Sequence, residues 1–213
     1  MRVEMNKFSV INNAPAFTKG YVKEMRVRWA LTEMDLPYEE LKYPHAETKS
    51  AEYLGKQPFG QVPYYEEGDL CMFESGAILL HLALKHSKLM PTDEIGRAQT
   101  MTWLFSALNS IEPSVAHVTL INVFSKGQEW ADLRRPAAIE NLKNRLSQLS
   151  SALGEREYLT GEFSIADIAM TTVLRDVSAT IIGEFANLKS YRERNEARAG
   201  FQKALQKHCE LYS

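Results

Sequence analysis

The stretch "QPFGQVPYYEEGDLCMFESGAILLHLAL", from Gln57 to Leu84, decides how the rest of the chain is read. QPFG is turn-forming, VPYYEE and LCMF read as strands joined at Gly68-Asp69, and a helix starts at Ser75. A proline at the first position of a strand removes one ladder donor, and in the cis form it bends the chain so that the preceding residue turns its N–H and C=O outward. Such an edge can pair with the backbone of a short peptide. Glu74 and Ser75 stand where the second strand gives way to the helix. There the Ser75 hydroxyl, the first backbone amides and the helix dipole can hold a carboxylate, while Glu74 can meet an ammonium. The plainer reading of the same residues is a strand followed by a capped helix.

Working outward, the first half alternates. KFSVI (Lys7 to Ile11) reads as a strand. KEMRVRWALTEMDL (Lys23 to Leu36) puts Met25, Val27, Trp29, Ala30, Leu31 and Met34 on one helical stripe that Pro37 ends. YEELKY (Tyr38 to Tyr43) reads as a second strand, followed by a polar loop or helix. The order strand, helix, strand, loop or helix, strand, strand, helix describes a small α/β layer over residues 1–86. SKLMPTDE, 87–94, is a polar connection. Residues 95–213 read as helix throughout, over about 95–123 with a kink at Pro113, then 136–153, 165–179, 188–197 and from 201. GEFSIADIAM carries a helix start: Ser164 as N-cap, Asp167 reaching back to its amide, and Phe163 facing Ile168 as a hydrophobic staple. Asp167 is read as structural.

Composition narrows the function. The 213 residues suffice for one large or two modest domains, and the net charge of -2, with both signs mixed along the chain, gives no footprint for nucleic acid or an anionic membrane. The start, MRVEMNKFSV, lacks an apolar signal core, and AILLHLAL is too short to cross a bilayer, so the expected location is the cytoplasm. Cys71 and Cys209 make neither a disulfide framework nor a metal cage. His45, His81, His86, His117 and His208 lack ligand spacing, and no metal is expected.

An outward-facing main chain beside sites for a carboxylate and an amine is what a γ-glutamyl tripeptide requires. The order of elements, the paired motifs GQVP and FESGAI, the all-helical second half and YLTGEFSIADIAM together resemble the glutathione transferase superfamily, in its bacterial-type cytosolic form. The similarity runs from Phe8 to the last helices. It implies an α/β N-terminal thioredoxin-like domain plus an all-α C-terminal helical domain, glutathione as cosubstrate, no metal, and a homodimer. It further implies that Val62 pairs with the cysteinyl part of glutathione, that Pro63 is cis, that Glu74 and Ser75 hold the γ-glutamyl end, and that Lys49 and Gln61 lie near the glycyl or thiol side.

In this family glutathione is the nucleophile and the protein lowers its thiol pKa from near 8.5, so about two units, roughly 2.7 kcal/mol, would have to come from hydrogen-bond donors beside a helix N-terminus. The segment NNAPAFTKGYVKEMRVRWAL has no cysteine, which disfavours a mixed disulfide with the protein. Counting back from RVRWAL puts Tyr21 at the activating position, with Asn12, Asn13, Thr18 and Lys23 in reserve. Tyr21 packing the first helix is the structural alternative. The electrophile pocket is expected along TWLFSALNSIEP at Trp103, Ser106, Asn109, Ser110 and Pro113, with Phe17 at its rim. Three readings follow: a glutathione S-transferase acting on a small hydrophobic electrophile; a noncatalytic binding or carrier protein on the same fold; and a glutathione-dependent isomerase or peroxidase.

Overall fold

The computed structural model describes residues 4–212; the first three residues of MRVEMNKFSV and the terminal Ser213 lie outside the described residues. The elements of the first half are β1 (Asn6–Ile11), α1 (Glu24–Glu33), β2 (Tyr38–Tyr43), α2 (Ala51–Leu54), β3 (Tyr64–Glu67), β4 (Leu70–Phe73) and α3 (Ser75–His86). They are followed by α4 (Glu94–Ser106), α5 (Glu112–Thr119), α6 (Glu129–Leu153), α7 (Ile165–Arg175), α8 (Ala179–Ile182), α9 (Ala186–Glu196) and α10 (Ala199–Cys209). Two compact units result, one of Met90–Glu196 and the other of the residues up to Leu89 together with those from Ala197 onward.

The first unit is built on a four-stranded sheet of order β2-β1-β3-β4. β1 runs parallel to β2, while β3 is antiparallel to both β1 and β4. Successive side chains on a strand face opposite sides. Accordingly the Tyr65 ring lies 5.9 Å from that of His81 in α3, and the Tyr64 ring lies 5.3 Å from that of Tyr53 in α2. This is the small α/β layer expected from the order of elements, in the thioredoxin-like form that the resemblance implies.

The apolar stripe of α1 is buried as its spacing requires, and so are Glu24, Arg26 and Arg28, which leaves its first eight residues buried on every side. α10 accounts for part of this. Its Phe201 ring meets Trp29 edge-on at 4.9 Å, Arg198 at its N-cap holds the Glu33 carboxylate at 2.9 and 3.0 Å, and His208 Nδ1 comes within 2.8 Å of Glu24 Oε1. The helix ends at Glu33, short of the expected Leu36: Asp35 turns left-handed at φ 55, and the residue before Pro37 is barred from helical geometry.

Among the described residues the second unit consists of helices joined by turns and loops, with no strand. α7 buries every residue from Ile165 to Leu174 except Thr172, as befits a central helix that is apolar nearly all round. At its start the Ser164 amide and hydroxyl both donate to Asp167 Oδ2 at 2.9 Å, and the Leu159 amide and Tyr191 hydroxyl donate to Oδ1 at 3.0 and 2.8 Å. The Phe163 ring lies against Tyr158 at 5.7 Å. α6 starts at Glu129, well before the expected Pro136, which sits inside it; Glu129 and Asp132 in the first turn suit the positive end of the helix. Near Pro113 the run from α4 to α5 passes through a π-helical turn, Ala107–Ile111, and a second such turn, Leu120–Phe124, follows α5. Among the described residues no helix is long and apolar enough to cross a membrane.

Candidate functional site

The strand register decides what comes together. Tyr64 pairs with Phe73 across the β3–β4 hairpin, so Val62-Pro63 and Glu74-Ser75 leave the sheet side by side at one end. Phe8 pairs with Tyr65, and Ile11 with Tyr43, so the loop after β1 and the segment after β2 open at that same end. It lies beyond the carboxyl ends of the parallel strands, where open sheets bind ligands.

The turn before β3 is built residue by residue. The buried Gln57 accepts the amides of Phe59 and Gln61 on Oε1 at 2.7 and 3.2 Å, and Lys49 Nζ donates to the carbonyls of Gly60 and Phe59 at 2.9 and 3.4 Å. Gly60 stands at φ 62, where a Cβ would lie 2.8 Å from the Thr48 carbonyl, so only glycine fits. The Tyr53 hydroxyl donates to the Gln61 carbonyl at 2.7 Å, and a carbonyl can only accept; the Ser9 hydroxyl must therefore donate to Tyr53 at 2.9 Å while accepting the Tyr64 amide at 2.8 Å. Burial pushes the Tyr53 pKa up to about 12, which keeps it a donor.

Gln61 and Tyr64 are thus both fixed by their backbones, and Val62 between them is not. Its amide and carbonyl have no hydrogen-bond partner among the described residues, and the Val62-Pro63 peptide is cis. Replacing Tyr53 by Phe would leave the Ser9 proton and the Gln61 carbonyl unmatched. Tyr53→Phe is expected to lower stability by about 1–3 kcal/mol, measured by urea unfolding, with a shift under 0.5 kcal/mol (about the size of a neutral surface change) ruling out this support.

At the mouth of α3, Glu74 is the N-cap residue and holds φ 69, ψ 111, a left-handed φ that costs a non-glycine residue about 1–3 kcal/mol and persists only where the surroundings enforce it. Its side chain is exposed. Ser75, 7% exposed, accepts a hydrogen bond from Arg26 Nη1 at 3.1 Å, which leaves the Ser75 proton free to point outward. The sequence reading did not include Arg26, Tyr53 or Gln57. Arg26 stands among the charges of KEMRVRW, which look like a solvated face; Tyr53 carried no signal because its Ser9 partner lies on another element, and Gln57 carried none although it bonds the amides of its own turn.

The loop between β1 and α1 begins with the Asn12 amide on the Tyr43 carbonyl at 3.1 Å and the His45 amide on Asn13 Oδ1 at 3.4 Å. Phe17, in a short 3-10 turn, is 59% exposed, and Tyr21, just ahead of α1, is 48% exposed with its amide on the Thr18 carbonyl at 2.9 Å. The Thr18 hydroxyl donates to the Pro15 carbonyl at 2.7 Å. In the second unit Trp103 and Ser106 are half-buried on α4, Asn109 and Ser110 lie exposed in the first π-helical turn, and Pro113 is exposed at the start of α5. Among the described residues no group of three or more His, Cys, Asp or Glu side chains is placed to hold a metal ion.

A mixed sheet with an unpaired main-chain group and a polar helix mouth at one end has the groups that backbone pairing with a short peptide requires. The family model described as Glutathione S-transferase, N-terminal domain, matches residues 13–84. Glutathione S-transferase 4 of Zea mays is 30% identical over 162 residues, 73% of this chain and 73% of that one. Two bacterial glutathione transferases are each 26% identical with a TM-score of 0.83 over 95% of this chain. One, from Burkholderia graminis, was crystallised with two glutathione molecules per subunit and is covered over 88% of its length; the other, from Pseudomonas putida, carries one glutathione disulfide per subunit and is covered over 91%. The chain belongs to the glutathione transferase family.

Proposed function

We propose that this chain is a glutathione S-transferase that binds glutathione at the open end of its sheet and activates the thiol for attack on a small hydrophobic electrophile. The observation that carries this reading is Val62, whose amide and carbonyl stay unpaired between two fixed neighbours. They receive the cysteinyl backbone of glutathione. Glu74 takes the γ-glutamyl ammonium, and Ser75 with the first amides of α3 takes its carboxylate, with the buried Arg26 behind the hydroxyl adding positive charge. Lys49 and Gln61 border the glycyl side, and Pro63 closes the edge.

Tyr21 donates to the thiolate from the loop ahead of α1. The thiol proton leaves to solvent, and the thiolate sulfur bonds to the electrophilic carbon as the leaving group departs. Phe17, Trp103, Ser106, Asn109, Ser110 and Pro113 supply electrophile contacts. The functional molecule is a homodimer of the cytoplasm: Cys71 and Cys209 are both free thiols, as in a reducing compartment, and large apolar side chains such as Phe59 (61%) and Leu133 (77%) are exposed and available to a second copy.

Calorimetric titration with glutathione, followed by turnover of an aromatic halide, tests the whole reading. Binding with turnover is the expected result; no heat and no turnover would overturn it, and binding without turnover on a panel of electrophiles and peroxides would favour the carrier. For Tyr21→Phe the expected result is a rise of about one unit in the pKa of bound glutathione, roughly 1.4 kcal/mol, with affinity nearly unchanged. An ultraviolet thiolate titration that does not move would remove Tyr21 from the site.

A further inference from the structure

We infer that Tyr212, at the far end of the described chain, is a positioning residue for thiol activation, acting through Thr18; this rests on the transferase reading above. The Tyr212 hydroxyl lies 3.0 Å from Thr18 Oγ1, a contact spanning 194 residues of sequence. The proton on Thr18 already goes to the Pro15 carbonyl at 2.7 Å, so Tyr212 is the donor. Burial raises the Tyr212 pKa above its ordinary value, which keeps that proton in place at neutral pH.

The bond lands where it has leverage. Thr18 closes the 3-10 turn Ala16–Thr18, and its carbonyl accepts the Tyr21 amide at 2.9 Å, so a shift of Thr18 carries Tyr21 with it. Two further bonds here are local, from the Thr18 amide to the Pro15 carbonyl at 2.9 Å and from the Lys19 amide to the Ala16 carbonyl at 3.2 Å. Tyr212 has a firm seat of its own. Its ring lies 5.1 Å from that of the fully buried His208, and α10 is held on α1 by the Trp29–Phe201 contact and the Arg198–Glu33 pair. The loop that presents the thiol-activating donor is therefore tied to the rigid α1–α10 pair. Thr18, with its own proton on Pro15, serves as a link in this tie and not as the donor to sulfur.

The test is Tyr212→Phe, which removes one hydroxyl and keeps the ring. With that variant the ultraviolet titration of bound glutathione is expected to shift upward, and neutral-pH kcat to fall about two- to tenfold, the fold-change one neutral hydrogen bond provides, with glutathione Kd within about twofold of the wild type. Thr18→Val should give the same shift, the double variant no further one, and Thr18→Ser should keep the wild-type titration, since serine retains both the acceptor and the donor. A Tyr212→Phe titration that overlays the wild type, or shifts of the two single variants that add in full, overturns the inference. If instead the wild-type protein takes up no glutathione in the calorimeter, it is the transferase reading that fails.

Discussion

Arg28→Met is expected to lower the thermal midpoint by about 6–20 °C. Arg28 is fully buried and forms an ion pair with Glu40, whose side chain is 7% exposed; its guanidinium also stands over the Phe8 ring at 5.3 Å and 4.0 Å from Glu24 Oε1. Methionine replaces the stem and removes the charge, so two carboxylates with little access to water lose their cation. Removing one partner of a buried pair costs about 3–5 kcal/mol, and for a chain of this size each kcal/mol is worth about 2–4 °C. Arg28 Nε and Nη2 and Glu24 Oε2 lack hydrogen-bond partners among the described residues, and His208 Nδ1 near Glu24 is close without being aligned, so the cluster is held by charge more than by geometry. Adding Glu40→Gln to the variant should recover part of the loss. A calorimetric midpoint that moves by less than about 2 °C would show that the cluster contributes nothing net, as some buried ion pairs do.

Ser75→Ala is expected to weaken glutathione binding about ten- to a hundredfold, the range for a hydrogen bond to a charged group. The hydroxyl accepts from the buried Arg26 and has its proton free toward the open end of the sheet, at the first residue of a twelve-residue helix whose amides face the same way. Alanine keeps the helix and removes the hydroxyl that, in the proposed site, links the arginine to the ligand carboxylate. Isothermal titration with glutathione measures the change, and Glu74→Gln, which leaves Arg26 and Ser75 intact, reports the ammonium side separately. A dissociation constant within twofold of the wild type in Ser75→Ala would place the γ-glutamyl end elsewhere.

The layer of strands and helices was legible because its signals are local: the alternation in KFSVI and YEELKY, the turn at Gly68-Asp69, the helix start at Ser164. The strand pairs brought the start of VPYY and the start of ESGA together without any long-range information beyond the hairpin. What could not be read was anything that depends on a partner far along the chain. Glu24, Arg26 and Arg28 look like a solvated face in KEMRVRW, and they are buried because α10 covers part of α1 and because their charges find Glu40, His208 and Ser75 on other elements. Tyr53 looks like one more aromatic on a short helix until Ser9 and Gln61 are placed on either side of its hydroxyl. The start of α6 was misplaced for the opposite reason: proline at the first helical position is a common local signal, and here Pro136 sits inside a helix that the acidic residues before it had already begun.

The return of α10 to the first unit has a consequence for biosynthesis. A ribosome makes the sheet and α1 early, yet Phe201, the residue that seals Trp29, emerges only after the whole of Met90–Glu196 has been translated. Through that interval the nascent first unit has a greasy, charge-studded flank awaiting its cover, and α10 acts as the latch that completes a part made well before it.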